Sequence, residues 1–304
     1  MPGWVPFTGL TAVVLALLLG LARLSQRAVN DRPALPDGQD STPANGGSVG
    51  GDETPAADAV TTESVSPEGT GTGPPATEGG SVTVTGAGDD DRPGAAAGTA
   101  TPRQEFSTGA LLANVALTQG LFGAIVAAGA WYYEIPGAAL GLTETAVGTG
   151  VLAVAVGIVF GVLLWTANEL SATVADAVGA TYDESLREML APDSVAGWIL
   201  LLGVILPIIA IVEELLFRAA LIGVPAAGFG IHPLALAIFS SALFALGHGA
   251  QGKVGIAVTG GLGFVLAGGY ILSGSLLVVV IAHYLVNALE FLVHEGIGAD
   301  RLGS

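Results

Sequence analysis

Seven apolar runs follow one another along the chain, at about 4–24, 107–131, 145–167, 196–217, 232–248, 254–272 and 275–293. Each is near the ~20 residues that a helix needs to cross a bilayer. The pattern predicts an all-α, polytopic transmembrane bundle of about seven spans. The first run is read as an N-terminal membrane anchor, residues 1–30. Residues 31–105, typified by SVTVTGAGDDDRPG, are rich in Gly, Thr, Ala, Ser and Pro and show no apolar periodicity. Such a stretch cannot bury enough apolar surface to fold, and it reads as a disordered acidic linker. Residues 106–304 then form the multi-span bundle. Between 168 and 195, charged and apolar positions alternate at helical spacing, which predicts a helix lying on the membrane surface. No internal repeat is visible.

Composition agrees with a membrane protein. The 304 residues are 51% hydrophobic and only 12% charged, too apolar for an ordinary soluble domain. The absence of cysteine excludes disulfides, thiolate metal sites and a cysteine nucleophile. The formal net charge of -17 belongs largely to the linker, which holds half of the acids, so it does not point to nucleic acid or to a basic partner. A single lysine, Lys253, against eight arginines, together with the acid excess, gives a halophile-like composition suited to a salt-rich cytoplasm. No basic residue precedes the first apolar run, whereas Arg23, Arg27 and Arg32 follow it. A signal peptide has the opposite arrangement. The run is therefore read as retained, with its C-terminal end inside, because basic residues near span ends stay in the cytoplasm. Arg103 places the far end of the linker on the same side. The expected location is the cell membrane, multi-pass, with a cytoplasmic linker.

Chemistry enters at IVEELLFRAALIG, where Glu213, Glu214 and Arg218 interrupt an apolar run. Each such charge at mid-bilayer depth costs at least ~2.5–3.5 kcal/mol on insertion scales. Glu214 and Arg218 are four apart in the favourable acid-first order, so they can neutralise each other. Glu213 lies ~100° round the helix, with Phe217 at its own fourth position, and is left for chemistry. Two further apolar runs carry polar groups. SSALFALGHG ends in His248, with Phe244 one turn before it, and VVVIAHYLVNALEFL holds His283 and Asn287 four apart on one face. In hydrocarbon these groups must find partners inside the bundle, and convergence is expected. Glu290 and His294 extend the His283–Asn287 stripe and are assigned to the membrane interface. His232, before Pro233, is read as a loop residue. TGGLGFVLAGG (259–269) is read as a close-packing stripe of small residues, and Trp131, Tyr132 and Tyr133 as an interfacial aromatic anchor.

EELLFR (213–218), FALGH (244–248) and HYLVN (283–287) together resemble, in order, the EExxxR, FxxxH and HxxxN/B motifs of the CPBP intramembrane proteases. That family includes type II CAAX prenyl endopeptidases and the bacteriocin-processing and self-immunity (Abi) proteins. The resemblance covers about 195–294; the earlier spans carry no motif. It implies a helical bundle around a polar cavity in which a peptide bond is hydrolysed. Carried over by position, Glu213 and His248 hold and deprotonate the attacking water. His283 and Asn287 stabilise the oxyanion, each donor being worth ~2.7–4 kcal/mol in such sites. Glu214, Arg218 and Phe244 support them. The family has been called metalloproteases, and Glu213, His248 and His283 would make a three-ligand zinc set with an open position. No HExxH is present and Asn is a poor zinc ligand, so the expectation is no cofactor, with zinc the alternative. The implied partners are the lipid bilayer and a membrane-embedded or prenylated protein or peptide, and no nucleic acid. Two other readings stand beside this one: a catalytically silent scaffold or self-immunity protein, and a proton-coupled carrier in which Glu213 and the histidines form a relay.

The linker reading yields a direct expectation. Deletion of residues 33–100 leaves the bundle folded in detergent, with an unchanged thermal melting curve. A lower melting temperature would mean that the linker packs on the bundle, against its composition.

Overall fold

The computed structural model describes residues 1–30, 108–177, 179 and 185–297, and regular structure among them is helical throughout. The linker assigned to 31–105 lies outside the described residues. The helices are α1 (Trp4–Asn30), α2 (Thr108–Tyr132), α3 (Val151–Ala177), α4 (Ser185–Leu190), α5 (Val195–Phe229), α6 (Pro233–Gly247), α7 (Gly252–Ser273) and α8 (Leu276–Phe291), the last continued by a π-helical turn, Leu292–Ile297. Six of them, α1, α2, α3, α5, α7 and the α8 segment, are long and apolar enough to cross a membrane. The seventh apolar run forms α6, a shorter apolar helix of 15 residues bounded by Pro233 and Gly247.

The surface helix expected over 168–195 takes a different form. Residues 168–177 are the last turns of α3, and the short α4 follows separately at 185–190. Propagating an existing helix fixes one residue per hydrogen bond, whereas nucleating a new one fixes several. The Ala-containing stretch ELSATVADA offers no breaker to stop α3 earlier.

α5 runs for 35 residues and is not uniform. It widens into π-helix at Leu201–Ile205 and again at Leu215–Gly223. Each π stretch lies just N-terminal to a proline, Pro207 or Pro225, placed at the start of the next α-helical stretch. A proline lacks the N–H and its ring pushes against the carbonyl one turn back. A wider turn at that point absorbs both defects without ending the helix.

Close approach of backbones positions α8. A Cβ on Gly157 of α3 would stand 2.8 Å from Ile281 Cβ, and one on Gly161 would stand 2.9 Å from Ala282 Cα. Small residues four apart let two membrane helices meet backbone to backbone. The residue after Ala282 is His283, so this seam sets the depth of a candidate site residue. At the start of α8, the buried Ser275 hydroxyl accepts from the Val278 N–H at 3.2 Å and donates to the Gly148 carbonyl at 2.6 Å. That cap satisfies an orphan donor of the helix and fixes its entry point.

The N-terminal α1 is part of the same packed body. Phe7, Val14 and Leu15 are buried in the main apolar cluster with residues of α2, α5, α6, α7 and α8, while Val13, Leu17 and Leu21 face outward. A second cluster gathers Leu112, Leu201, Ile205, Leu206, Ala288 and Phe291, with Leu190 of α4 against it.

Replacing Gly161 by Val drives a branched side chain into the Ala282 backbone. We expect destabilisation of about 1–3 kcal/mol, the usual range for overpacking, read as a lower melting temperature in detergent. Gly120, with open space around its Cα, is the control: Gly120→Ala leaves melting unchanged. Equal behaviour of the two variants would refute the close α3–α8 seam.

Candidate active site

The charges of α5 are not solvated at a span end. Glu214 has no solvent exposure and Arg218 is 1% exposed. Arg218 Nη1 donates to Glu214 Oε1 at 2.8 Å, the pairing expected from the four-residue spacing. Its Nη2 donates to the carbonyl of Gly263 on α7 at 3.0 Å. The guanidinium also sits 4.8 Å from the centroid of the Phe244 ring on α6, within cation–π range. Gly263 permits both contacts, because a Cβ there would stand 3.0 Å from Phe244 Cδ1 and 3.6 Å from Arg218 Nη2. The stripe of small residues over 259–269 thus has a specific use.

His283 is the link between the ion pair and Glu213. Its Nδ1 lies 2.7 Å from Glu214 Oε1. Glu214 faces a guanidinium through the same oxygen, so it acts as a carboxylate acceptor and His283 Nδ1–H is the donor. The opposite ring nitrogen, Nε2, then stands 3.7 Å from Glu213 Oε2. A water about 2.8 Å from each, an ordinary hydrogen-bond distance, would close a triangle with them. Glu213 is partly accessible, with 12% side-chain exposure, while the histidine is almost wholly enclosed. The two adjacent glutamates therefore occupy different environments: one is fully buried and one is partly accessible.

His248 ends α6 and its Nδ1 is 2.8 Å from the Phe244 carbonyl. A carbonyl only accepts, so Nδ1 carries the proton and Nε2 is the free lone pair. The Phe244 ring is the common floor of the cluster. Its centroid is 4.5 Å from the His248 ring, 6.1 Å from the His283 ring in an edge-on arrangement, and 5.0 Å from Phe217. Asn287 lies one turn beyond His283 on α8 and is partly exposed. Ser240 donates to the Phe217 carbonyl at 2.6 Å, inside the π stretch of α5, where helical hydrogen bonding is loosened.

Helical spacing does not reveal the His283–Glu214 bond, the Gly263 carbonyl or the Ser240 contact, since all three join different helices. The signal for Gly263 was the run of small residues, which announced close packing without naming its partner. His232 caps α6, its Nδ1 accepting from Leu234 N–H at 3.3 Å. Among the described residues, three metal-ligand atoms come within 4.8 Å of one another at Glu169, Glu290 and His294, and the alternative zinc set of Glu213, His248 and His283 is not gathered in this way.

Residues 195–289 match the family model described as type II CAAX prenyl endopeptidase Rce1-like. Over this segment the chain is similar to the Rce1-like family. The match begins with α5, ends within α8 and contains all three motifs, in agreement with the CPBP resemblance. It supports a likeness to the CAAX-protease-like family of intramembrane proteases. It spans about a third of the chain. Neither the curated proteins nor the solved structures include a match.

The different settings of the two glutamates in the Rce1-like segment predict different variants. Glu214→Gln leaves Arg218 buried without its counter-charge, a loss that reaches ~3–5 kcal/mol when a buried pair is broken, and melting falls sharply. Glu213→Gln keeps shape and interior pairing and melts within about 0.5 kcal/mol of wild type. Thermal melting in one detergent checks both. A Glu214→Gln protein that melts like wild type would contradict the interior ion pair.

Proposed function

We propose that the chain is an intramembrane endopeptidase that hydrolyses a peptide bond in a membrane-embedded or prenylated protein or peptide. The observation that carries this reading is the alignment of Glu213, His283 and Glu214. An accessible carboxylate faces a histidine nitrogen whose other side is held by a buried, neutralised carboxylate. In this reading Glu213 takes a proton from water, with the Nε2 lone pair of His248 as the second contact. The resulting hydroxide adds to the scissile carbonyl carbon. Asn287 Nδ2–H donates to the oxygen that becomes negative. His283 Nε2–H donates as well, in the imidazolium form, because Nδ1–H is already committed to Glu214 and neutral imidazole carries a single proton. The carbon–nitrogen bond then breaks as the leaving nitrogen gains the proton held by Glu213. Glu213 works as general base and then general acid, and the donors act where water is largely excluded. Arg218 and Phe244 position this group without touching substrate.

Asn287 separates an oxyanion site from a metal site, because the two demand opposite electrostatics. In the oxyanion reading, Asn287→Ala removes one donor and lowers turnover on the order of a hundredfold or more. Asn287→Asp lowers it further, since a carboxylate repels the developing negative charge. In a metal site a carboxylate is the better ligand for a borderline cation, and Asp retains activity. The measurement is turnover of a cleavable membrane peptide by purified wild type and the two variants, with and without a chelator. An Asp variant more active than Ala, silenced by chelator and restored by zinc, would overturn the metal-free mechanism. Wild type that cleaves no peptide, with Glu213→Gln indistinguishable from it, would leave the scaffold reading in its place.

A further inference from the structure

A second polar cluster lies one turn beyond Asn287, outside the residues matched to the Rce1-like family. Glu290 ends the polar stripe of α8, His294 sits in the π turn that follows, and Glu169 comes from α3. His294 Nε2 is 2.9 Å from Glu169 Oε1 and 3.9 Å from Glu290 Oε1. One ligand atom from each of the three lies within 4.8 Å of the others. The side chains are only 21–34% exposed, so bulk water does not fully screen their charges. Around them, Asn168 Nδ2 donates to Glu290 Oε2 at 3.4 Å. Arg187 of α4 donates through Nη1 to Glu290 Oε1 at 2.9 Å and through Nε to Glu295 Oε1 at 2.8 Å. The three carboxylates here face the guanidinium of Arg187 and one imidazole.

We propose that Glu169, Glu290 and His294 form a divalent-cation site that clamps the end of α3 to the end of α8. Two carboxylates and an imidazole suit a borderline ion, zinc or manganese, better than calcium or magnesium, whose shells are all oxygen. Ligands ~2.0–2.2 Å from a tetrahedral zinc stand roughly 3.3–3.6 Å apart. The distances found bracket that range, and small rotamer adjustments close it. Two carboxylates within 4.8 Å of each other repel, and a cation between them relieves that repulsion. A divalent ion supplies compensating charge directly, while Arg187 Nη1 holds Glu290 Oε1, the oxygen 3.9 Å from His294 Nε2, and Asn168 Nδ2 holds Oε2, as ligating carboxylates are held in metal sites. The competing account is a metal-free imidazolium ion-paired with Glu169.

The test uses the full chain, purified in detergent and stripped by chelator, titrated with zinc chloride and with manganese chloride by calorimetry, with metal content and melting measured alongside. Wild type binds one zinc per chain and melts at a higher temperature with it. Glu169→Gln and His294→Ala each weaken binding at least about tenfold and lose the zinc-dependent rise in melting. The Glu213→Gln/His248→Ala double variant keeps both effects, which separates this site from the catalytic one. Glu169→Gln alters a side chain 30% exposed, and its cooperative melting without metal shows that the loss is of a ligand and not of the fold. Cobalt added to stripped wild type gives a visible absorption band that zinc displaces, a readout that needs no variant. No zinc uptake by wild type, uptake unchanged by Glu169→Gln and His294→Ala, or uptake lost only in the Glu213/His248 variant would each overturn the proposal.

Discussion

A guanidinium and a carboxylate with almost no solvent access, Arg218 and Glu214, hold the centre of this bundle together. Neither can remain in hydrocarbon alone, and their attraction repays desolvation only when the remaining hydrogen-bonding positions are filled. Part of that demand is met from three other helices, while Glu214 Oε2 and Arg218 Nε have no hydrogen-bond partner among the described residues. Glu214 accepts from His283 of α8, Arg218 donates to the Gly263 carbonyl of α7, and the face of the guanidinium meets Phe244 of α6. One turn of α5 is thereby tied to every helix that carries a motif residue. Apolar packing in a bilayer has no hydrophobic drive between helices, so this polar knot supplies a specific register that oily surfaces cannot.

The knot places demands on the backbone around it. Arg218 can reach a main-chain carbonyl of α7 because Gly263 has no side chain, and His283 can reach Glu214 at the depth set by Gly157 and Gly161 against α8. The π stretch Leu215–Gly223 carries Arg218 and ends just before Pro225. A local irregularity that would weaken an ordinary helix is tolerated here because Ser240 satisfies a carbonyl within it. Glycine, π turn and buried charge form one arrangement, in which each makes the next possible.

The sequence made part of this legible. Helical spacing alone pairs Glu214 with Arg218 and leaves Glu213 over, since both relations lie within one helix. The motif order points to His248, His283 and Asn287. What spacing cannot supply is which helix faces which: the Glu214–His283 bond joins residues 69 apart, and nothing in the apolar pattern names that contact. The same blindness hid Glu169, whose partners Glu290 and His294 were placed at the interface without it. Mixed polar and apolar positions at 168–177 predicted a surface helix, but such a pattern says only that a helix has two faces, not that a span has ended. The run at 232–248 was apolar enough to count as a span, yet Pro233 and Gly247 confine its helix to 15 residues.

The fixed partnership of His283 also bears on which chemistry suits the site. A proton carrier needs its histidine to exchange partners between two states, because transport requires the proton to arrive from one side and leave toward the other. Here Nδ1 is held by a carboxylate that is itself held by Arg218, and the ring is enclosed against Phe244. Turning the ring would strip Glu214 of one of its two donors inside the bundle, which is costly for a buried carboxylate. A histidine held in this way is poorly suited to a relay and well suited to presenting one nitrogen at a constant position. Constant position is what preorganised stabilisation of a developing charge requires. The proposed hydrolysis suits this fixed histidine better than transport would, for a reason that resides in the interior ion pair and not in the residues that would meet the substrate.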